Sequence, residues 1–181
     1  MSETIVEVTE NGEMVGPIDR DVAHQKNIPH AIVMILLRTP KSSPQALFQV
    51  RGKNVKKYPG FITLTATGHI RYEEGRTLQE LAKTNAKEEL EQETKGFVLL
   101  GDIGKIDLKL TTQGFFSDGE ERQYVFIFTA EIEHLPQLQS AKNEEVAQLK
   151  MLTIDEVLKL AKQGQVTPFA LEALRLLKLI D

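Results

Sequence analysis

The sequence contains no cysteine and no tryptophan, and aromatic residues make up only 6% of its 181 residues. Without cysteine the chain cannot form a disulfide, a thiolate metal site or a cysteine nucleophile. No apolar run approaches the roughly 18 residues of a membrane-spanning helix, and the first ten residues are acidic rather than signal-like. We therefore expect a cytoplasmic protein that makes no membrane contact.

An excess of positive charge is absent as well. The 22 basic and 26 acidic residues give a net charge of −4, so there is no general attraction to nucleic acid. The hydrophobic fraction of 41% is typical of globular proteins. The length allows one domain with a full core. The expectation is a single domain over residues 1–181 that has no nucleic-acid partner.

A charged stretch over residues 68–97 organises the rest of the chain; it reads GHIRYEEGRTLQELAKTNAKEELEQETKGF. Its second part predicts a helix that runs to about residue 94. Thr77 can cap the start of this helix, and Glu80 stands three residues later, as a capping box requires. Gly96 provides the stop signal.

Three polar residues interrupt the apolar arc of this predicted helix. Glu89, Gln92 and Glu93 are spaced i, i+3, i+4, so their side chains project toward one place. Buried carboxylates are costly unless a cation or hydrogen-bond donors meet them, and oxygen ligands at this spacing suit Mg²⁺ or Mn²⁺. The alternative is that this half of the helix emerges into solvent, and helical periodicity leaves both interpretations open.

The same stretch resembles the signature of the Nudix hydrolases, G-x5-E-x7-R-E-U-x-E-E-x-G-U, in which U is a bulky apolar residue. Gly68 resembles the first glycine, and Glu89, Gln92 and Glu93 fall at the later glutamates. In that family these glutamates hold a divalent metal against a diphosphate. The resemblance implies metal ligands at these three positions.

The chain departs from this signature at two functional positions. Glu88 stands where the family has an arginine, and Gln92 replaces a glutamate, which leaves only a neutral carbonyl oxygen as a ligand. Two alternatives to an active hydrolase follow. One is a catalytically impaired module that binds a nucleotide or another diphosphate, and the other is a protein-interaction domain.

For the whole chain, the resemblance implies an α/β fold, an α/β/α sandwich around a mixed sheet. It also implies Mg²⁺- or Mn²⁺-dependent hydrolysis of a diphosphate bond in a small molecule, a nucleoside diphosphate linked to a further moiety. Glu93 is one candidate for the catalytic base. Glu145, in the sequence Glu144-Glu145-Val146, is the other candidate, with surface charge as its alternative role.

A basic loop over residues 51–60 resembles a substrate-contacting segment of the isopentenyl-diphosphate isomerase-like branch of this family. Arg51, Lys56 and Lys57 are therefore predicted to bind the diphosphate, since both cation types suit phosphate; the alternative is a solvated loop. Gly68 and His69 complete the predicted substrate-binding set, although a structural role for His69 is equally consistent with the sequence.

The segment before the first buried strand also resembles that branch, in the order Asp19-Arg20, Ala23-His24 and His30. We interpret His24 and His30 as structural or rim residues. Isomerase chemistry is not expected, because it would require a cysteine that this chain lacks.

Apolar patterning and turn residues predict the remaining elements. An N-terminal unit, residues 1–28, combines a hairpin around Asn11-Gly12 with a short helix. A C-terminal unit, residues 153–181, contains a helix capped by Thr153 and an apolar helix that opens at Thr167-Pro168 and packs on the sheet or in a homodimer. The predicted segments are a helix over 18–25, strands over 30–38, 46–50, 61–67, 97–106, 108–116 and 123–132, an extended run ending at 152, and a helix over 154–162.

Overall fold

A computed structural model describes residues 2–40, 45–94, 106–132 and 144–181. These residues form nine strands and four helices. In chain order they are β1 Thr4–Val8, β2 Met14–Asp19, α1 Arg20–Gln25, β3 His30–Arg38, β4 Ala46–Arg51, β5 Ile62–Thr63, β6 Ala66–His69, α2 Leu78–Thr94, β7 Lys109–Ser117, β8 Arg122–Glu131, β9 Val146–Leu152, α3 Ile154–Lys162 and α4 Pro168–Leu176.

Strand β3 is the centre of the sheet, and its nine residues are almost all buried. Along one edge it pairs in parallel with β8 over its whole length, from His30 with Gln123 to Arg38 with Glu131. Its antiparallel partners are β1, β6 and β4, taken in succession along the strand. The sheet is therefore mixed, as predicted, and the predicted antiparallel pair of β3 and β4 is confirmed.

Alternate residues of β3 face two different hydrophobic layers, as the period of two in a strand requires. Val33 and Ile35 belong to the layer that includes Leu81 and Leu90 of α2. Met34 and Leu36 belong to the opposite layer, which α3 and α4 cover. This arrangement confirms the predicted α/β/α sandwich. Of the described helices that pack in these two layers, α2 covers one face of the sheet, and α3 and α4 cover the other.

The N-terminal hairpin is confirmed, since β1 and β2 pair antiparallel. The short helix after it begins two residues later than predicted, at Arg20 rather than Ile18. Ile18 belongs to β2, where it pairs with Ile5. Asp19 ends the strand and caps the helix, because its carboxylate accepts a hydrogen bond from the Val22 amide.

The predicted strand over 61–67 is divided into β5 and β6, so the prediction of one strand is wrong. β5 pairs with β4, whereas β6 pairs with β3. Between them the Thr65 hydroxyl accepts from the Leu37 amide at 2.9 Å and donates to the Leu47 carbonyl at 2.5 Å. This side chain bonds to both neighbouring strands at the point where the chain passes from one to the other.

The predicted capping box at Thr77 and the predicted N-cap at Thr153 are both confirmed, and Thr153 forms a capping box as well. The Thr77 amide lies 2.8 Å from the Glu80 carboxylate before α2, and Thr153 and Glu156 make the same reciprocal contacts before α3. The later elements are also confirmed, with ends that differ from the predicted ones by at most a few residues. They are the strands over 108–116 and 123–132, the extended run to 152 and the two C-terminal helices. The predicted stop at Gly96 and the predicted strand over 97–106, apart from Ile106, lie outside the described residues.

The final helix packs on the sheet through Ala170, Ala173 and Leu174, which confirms one of its two predicted roles. A homodimer contact stays a prediction, as does the single domain over the whole chain. Within the described parts of the chain, every helix is too short or too polar to span a bilayer.

Candidate metal centre

Glu89 lies directly against the backbone of Gly68. A Cβ at position 68 would be 2.1 Å from the Glu89 Cδ atom and 2.3 Å from its Oε1 atom, so only glycine leaves room for this carboxyl. Burial raises the pKa of Glu89 to about 7, although the nearby charge of Arg71 opposes the rise. The glycine and the glutamate of the predicted signature are thus brought into contact by the packing of α2 on β6.

Glu93 lies one helical turn further along α2 and is only 6% exposed. Its Oε2 atom accepts hydrogen bonds from the Gln49 side-chain amide at 3.0 Å and from the Thr67 backbone amide at 2.8 Å. These donors come from β4 and β6, so two strands fix the orientation of the carboxyl. Burial raises the pKa of Glu93 to about 8, while the Thr67 hydrogen bond works against the rise.

A third acid approaches this pair from another part of the chain. The Glu145 carbonyl accepts a hydrogen bond from the Gly52 amide at 2.7 Å, which ties the start of β9 to the end of β4. The charge of Glu145 acts on Glu89 and Glu93 and contributes to the upward shift of the pKa of both. Three predicted functional carboxyls therefore share one electrostatic environment.

Arg51, a predicted substrate residue at the end of β4, interacts electrostatically with Glu93 and Glu145 of this group. Burial lowers the pKa of its guanidinium, and the charges of Glu93 and Glu145 oppose that shift. Its Nε atom donates to the Lys57 carbonyl at 3.1 Å, which fixes the base of the side chain to its own loop. Arg51 thus provides a positive charge that acts on the carboxyls.

The donor set of Glu89 and Glu93 fits a hard divalent cation. Both are carboxyls one turn apart on the same helix, and burial raises the pKa of both into the neutral range, which means that their joint ionisation is costly. A divalent ion offsets this cost, because oxygen ligands and two negative charges are what Mg²⁺ and Mn²⁺ favour.

The other predicted site residues are distributed differently. Gln92 and Lys56 are exposed. Lys57 forms an ion pair with Glu121 at 2.5 Å, and so it is directed toward a second polar cluster. The assignment of these residues as ligand and substrate contacts stays a prediction, as does the role of Glu145.

The second cluster consists of His24, His30, His69 and Glu121. His24 bonds through Nδ1 to the Glu121 carboxylate at 3.0 Å and through Nε2 to the Nε2 atom of His69 at 3.0 Å. The hydrogen bonds of Glu121 with His24 and Lys57 overcome the effect of burial and lower its pKa to about 2. The sequence indicated the three histidines one by one but not Glu121, since no local spacing connects Glu121 with them.

His30 is the buried histidine of this cluster and is 1% exposed. Its Nδ1 atom lies 2.9 Å from the Ile28 carbonyl, which can only accept, so Nδ1 carries the hydrogen. Its Nε2 atom is then a lone-pair donor, and it is buried without a hydrogen-bond partner among the described residues. One ligand atom from each of the three histidines lies within 4.8 Å of the others, a separation that one shared cation could bridge.

His69 connects the two clusters. It follows Gly68 in β6, so the residue that contacts Glu89 and the residue that contacts His24 are adjacent in the chain. Burial lowers the pKa of His69 well below its usual value, and the charge of Arg20 adds to the shift. A neutral imidazole is therefore present at neutral pH, and it is available as a hydrogen-bonding or ligating group.

Comparisons with solved structures identify the fold. The protein DR0079 from Deinococcus radiodurans is 17% identical, with a TM-score of 0.66 over 96% of this chain and 99% of its own. The Nudix hydrolase RenU from M. smegmatis is 18% identical, with a TM-score of 0.54 over 97% of this chain and 92% of its own. The NUDIX domain of Shewanella oneidensis NrtR, solved with ADP ribose, is 16% identical, with a TM-score of 0.52 over 82% of this chain and 85% of its own.

No family model and no curated protein matches the chain. The structural matches show that this chain has the Nudix fold. At 16–18% sequence identity these matches establish the fold but not the substrate.

Proposed function

Because the chain has the Nudix fold, we propose that it is a divalent-metal-dependent hydrolase. Its substrate would be a nucleoside diphosphate linked to a further moiety, and the bond broken would lie in the diphosphate. The observation that carries the proposal is the pair of carboxyls on α2, the half-buried Glu89 against Gly68 and the buried Glu93 held by Gln49 and Thr67.

Glu89 and Glu93 are the proposed ligands of Mg²⁺ or Mn²⁺, with the exposed Gln92 as a weaker third. When bound, the ion would polarise the phosphoryl oxygens and lower the pKa of a bound water. Gln49 and Thr67 both donate to the Oε2 atom of Glu93, so its other oxygen would be the one available to hold the ion. The absence of a side chain at Gly68 keeps the space for Glu89 open.

Proton removal from the attacking water is assigned to Glu93 or Glu145, which act on each other electrostatically in the same region. Arg51 would offset the charge of the diphosphate, since a guanidinium suits phosphate oxygens. Lys56, in the same loop, is exposed and could add to this contact in the complex. Lys57 and His69 would border the substrate on the side of the second cluster, which contains the three histidines and Glu121.

The decisive experiment measures Mg²⁺- and Mn²⁺-dependent release of phosphate or nucleotide from a panel of nucleoside diphosphate derivatives. We expect turnover that Glu89→Gln and Glu93→Gln abolish. Gln49→Ala should reduce activity about 10- to 100-fold, as is typical when a partner of a metal ligand is removed. Glu91→Gln is the matched control, because Glu91 is an exposed carboxylate on the same turn of α2.

Absence of turnover on the whole panel, with intact metal-dependent binding of a diphosphate by calorimetry, would support the catalytically impaired binding module instead. If neither metal nor diphosphate binds, the interaction-domain alternative is favoured.

A further inference from the structure

Arg71 follows β6 by two residues and joins it to α2. Its backbone amide and its Nε atom each donate to the Asn85 Oδ1 atom at 3.3 Å. Asn85 is 1% exposed and donates in turn to the Leu81 carbonyl of its own helix at 2.9 Å. The guanidinium is therefore anchored to a buried amide whose orientation the helix backbone fixes.

The other end of the guanidinium binds Glu88, because the Arg71 Nη2 atom donates to the Glu88 carboxylate. Asn85 and Glu88 are spaced i, i+3, so one arginine holds two consecutive positions on the same face of α2. The residue directly after Glu88 is the proposed metal ligand Glu89.

The charges around Glu89 are mostly negative. Glu3, Glu88 and Glu145 place negative charges near it, whereas Arg71 places a positive charge there. Glu88 would add one more negative charge beside the ligand if it were not paired.

We propose that Arg71 is a positioning residue for the metal centre: its ion pair with Glu88 and its hydrogen bonds to Asn85 hold the ligand turn of α2 against β6 and neutralise the added carboxylate at position 88. The inference rests on the proposed function, because it takes Glu89 as a metal ligand. It also gives the glutamate at position 88 a physical role, as the partner of an arginine that β6 supplies.

An ordinary surface ion pair would have little effect on function. The side chains of Arg71 and Glu88 are 41% and 45% exposed, and pairs of this kind contribute little to stability. Substitutions here should therefore leave the protein folded. An effect on metal affinity would then report on positioning and not on stability.

The test measures Mn²⁺ affinity by electron paramagnetic resonance in the unmodified protein and in four variants. The variants are Arg71→Ala, Arg71→Glu, Glu88→Arg and the double variant Arg71→Glu/Glu88→Arg. We expect the single variants to weaken Mn²⁺ binding about 10-fold or more, which is the size of effect seen when residues outside the ligand set that orient metal ligands are removed. The double variant, which restores an opposite-charge pair, should recover most of the affinity. Thermal unfolding checks that each variant is folded.

Arg76→Ala is the matched control, because Arg76 pairs with Glu73 near the start of α2 and has a similar exposure. It should leave Mn²⁺ affinity unchanged. In turnover assays, Arg71→Ala should raise the Mg²⁺ concentration needed for half-maximal activity and leave the KM for the substrate unchanged. An ion pair with only a structural role would not change the Mg²⁺ requirement while leaving the KM for the substrate unchanged.

Three outcomes would overturn the inference. If Arg71→Ala binds Mn²⁺ as tightly as the unmodified protein, or if the double variant is no better than the single ones, Arg71 does not position the site. These results leave the proposed function intact, provided that Glu89→Gln weakens Mn²⁺ binding. If Glu89→Gln has no effect, the metal centre and the inference fail together.

Discussion

A side chain at position 68 would occupy the space that the Glu89 carboxyl fills. Gly68→Ala places a Cβ 2.1 Å from the Glu89 Cδ atom, so the carboxyl must move away from its position over β6. We expect Mn²⁺ affinity, measured by electron paramagnetic resonance, to fall about 10-fold or more. The control is Gly114→Ala in β7, where the nearest atoms are flexible Leu176 methyl groups at 3.3–3.4 Å. Equal affinities in the two variants would contradict the close contact.

The buried carboxyl of Glu93 predicts a pH dependence of stability in the metal-free protein. Its pKa is about 8 in the folded chain and 4.5 for an ordinary glutamate. Between these values the folded chain keeps a proton that the unfolded chain has lost, so the free energy of unfolding falls as the pH rises. Glu93→Gln removes this titration.

Thermal unfolding in a chelator at about pH 5 and pH 8 measures the effect. We expect the unmodified protein to lose more stability over this range than Glu93→Gln does. His30 and His69, whose pKa burial lowers, act in the opposite direction below about pH 6.5, but both proteins contain them. Parallel curves for the two proteins would show that Glu93 is ionised throughout.

At the scale of the element, the two capping boxes offer a direct comparison between α2 and α3. Thr77 and Thr153 make equivalent reciprocal bonds with a glutamate three residues later. Thr77→Ala and Thr153→Ala should each lower the free energy of unfolding by about 1 kcal/mol, measured by urea denaturation. Neither change touches the carboxyls of Glu89 or Glu93, so Mn²⁺ affinity should stay the same. A loss of affinity in Thr77→Ala alone would mean that the start of α2 controls the ligand turn at its other end.

Helix α2 was also the element that the sequence predicted best. Its cap, its apolar face and the inward positions of Glu89 and Glu93 follow from local spacing. Gln92, which the same spacing places on that face, is exposed. The division of residues 61–67 into β5 and β6 did not follow, because it depends on β3 and β4 lying side by side, with Thr65 bonded to both. Local patterns indicate that a strand is present, but they do not show where it changes partner.

At the scale of the whole molecule, the two faces of the sheet differ in what covers them. The helix with the proposed metal ligands covers one face, and the two C-terminal helices cover the other. Leu90 packs in the layer beneath α2, and Leu174 packs in the layer beneath α3 and α4; both are almost fully buried. Leu90→Ala and Leu174→Ala should each cost roughly 2–5 kcal/mol of stability in urea denaturation. Only Leu90→Ala should also weaken Mn²⁺ binding, since Leu90 follows Glu89 directly. An equal loss of Mn²⁺ affinity in Leu90→Ala and Leu174→Ala would show that metal binding depends on the global stability of the protein.

Taken by itself, the sequence determined the features that depend on neighbours along the chain. These were the hairpin, the buried strand β3, the capped helices, and the spacing of Glu89 and Glu93, which indicated a metal site and the Nudix resemblance. Substrate, compartment and oligomeric state stay predictions.

The tertiary structure decided which distant residues meet. It placed Gly68 under Glu89, Gln49 beside Glu93, Arg71 on Glu88, and Lys57 with the histidine cluster at Glu121. These contacts join residues from 17 to 64 positions apart. They depend on how the helix and the strands pack around β3, and no local sequence period encodes that packing.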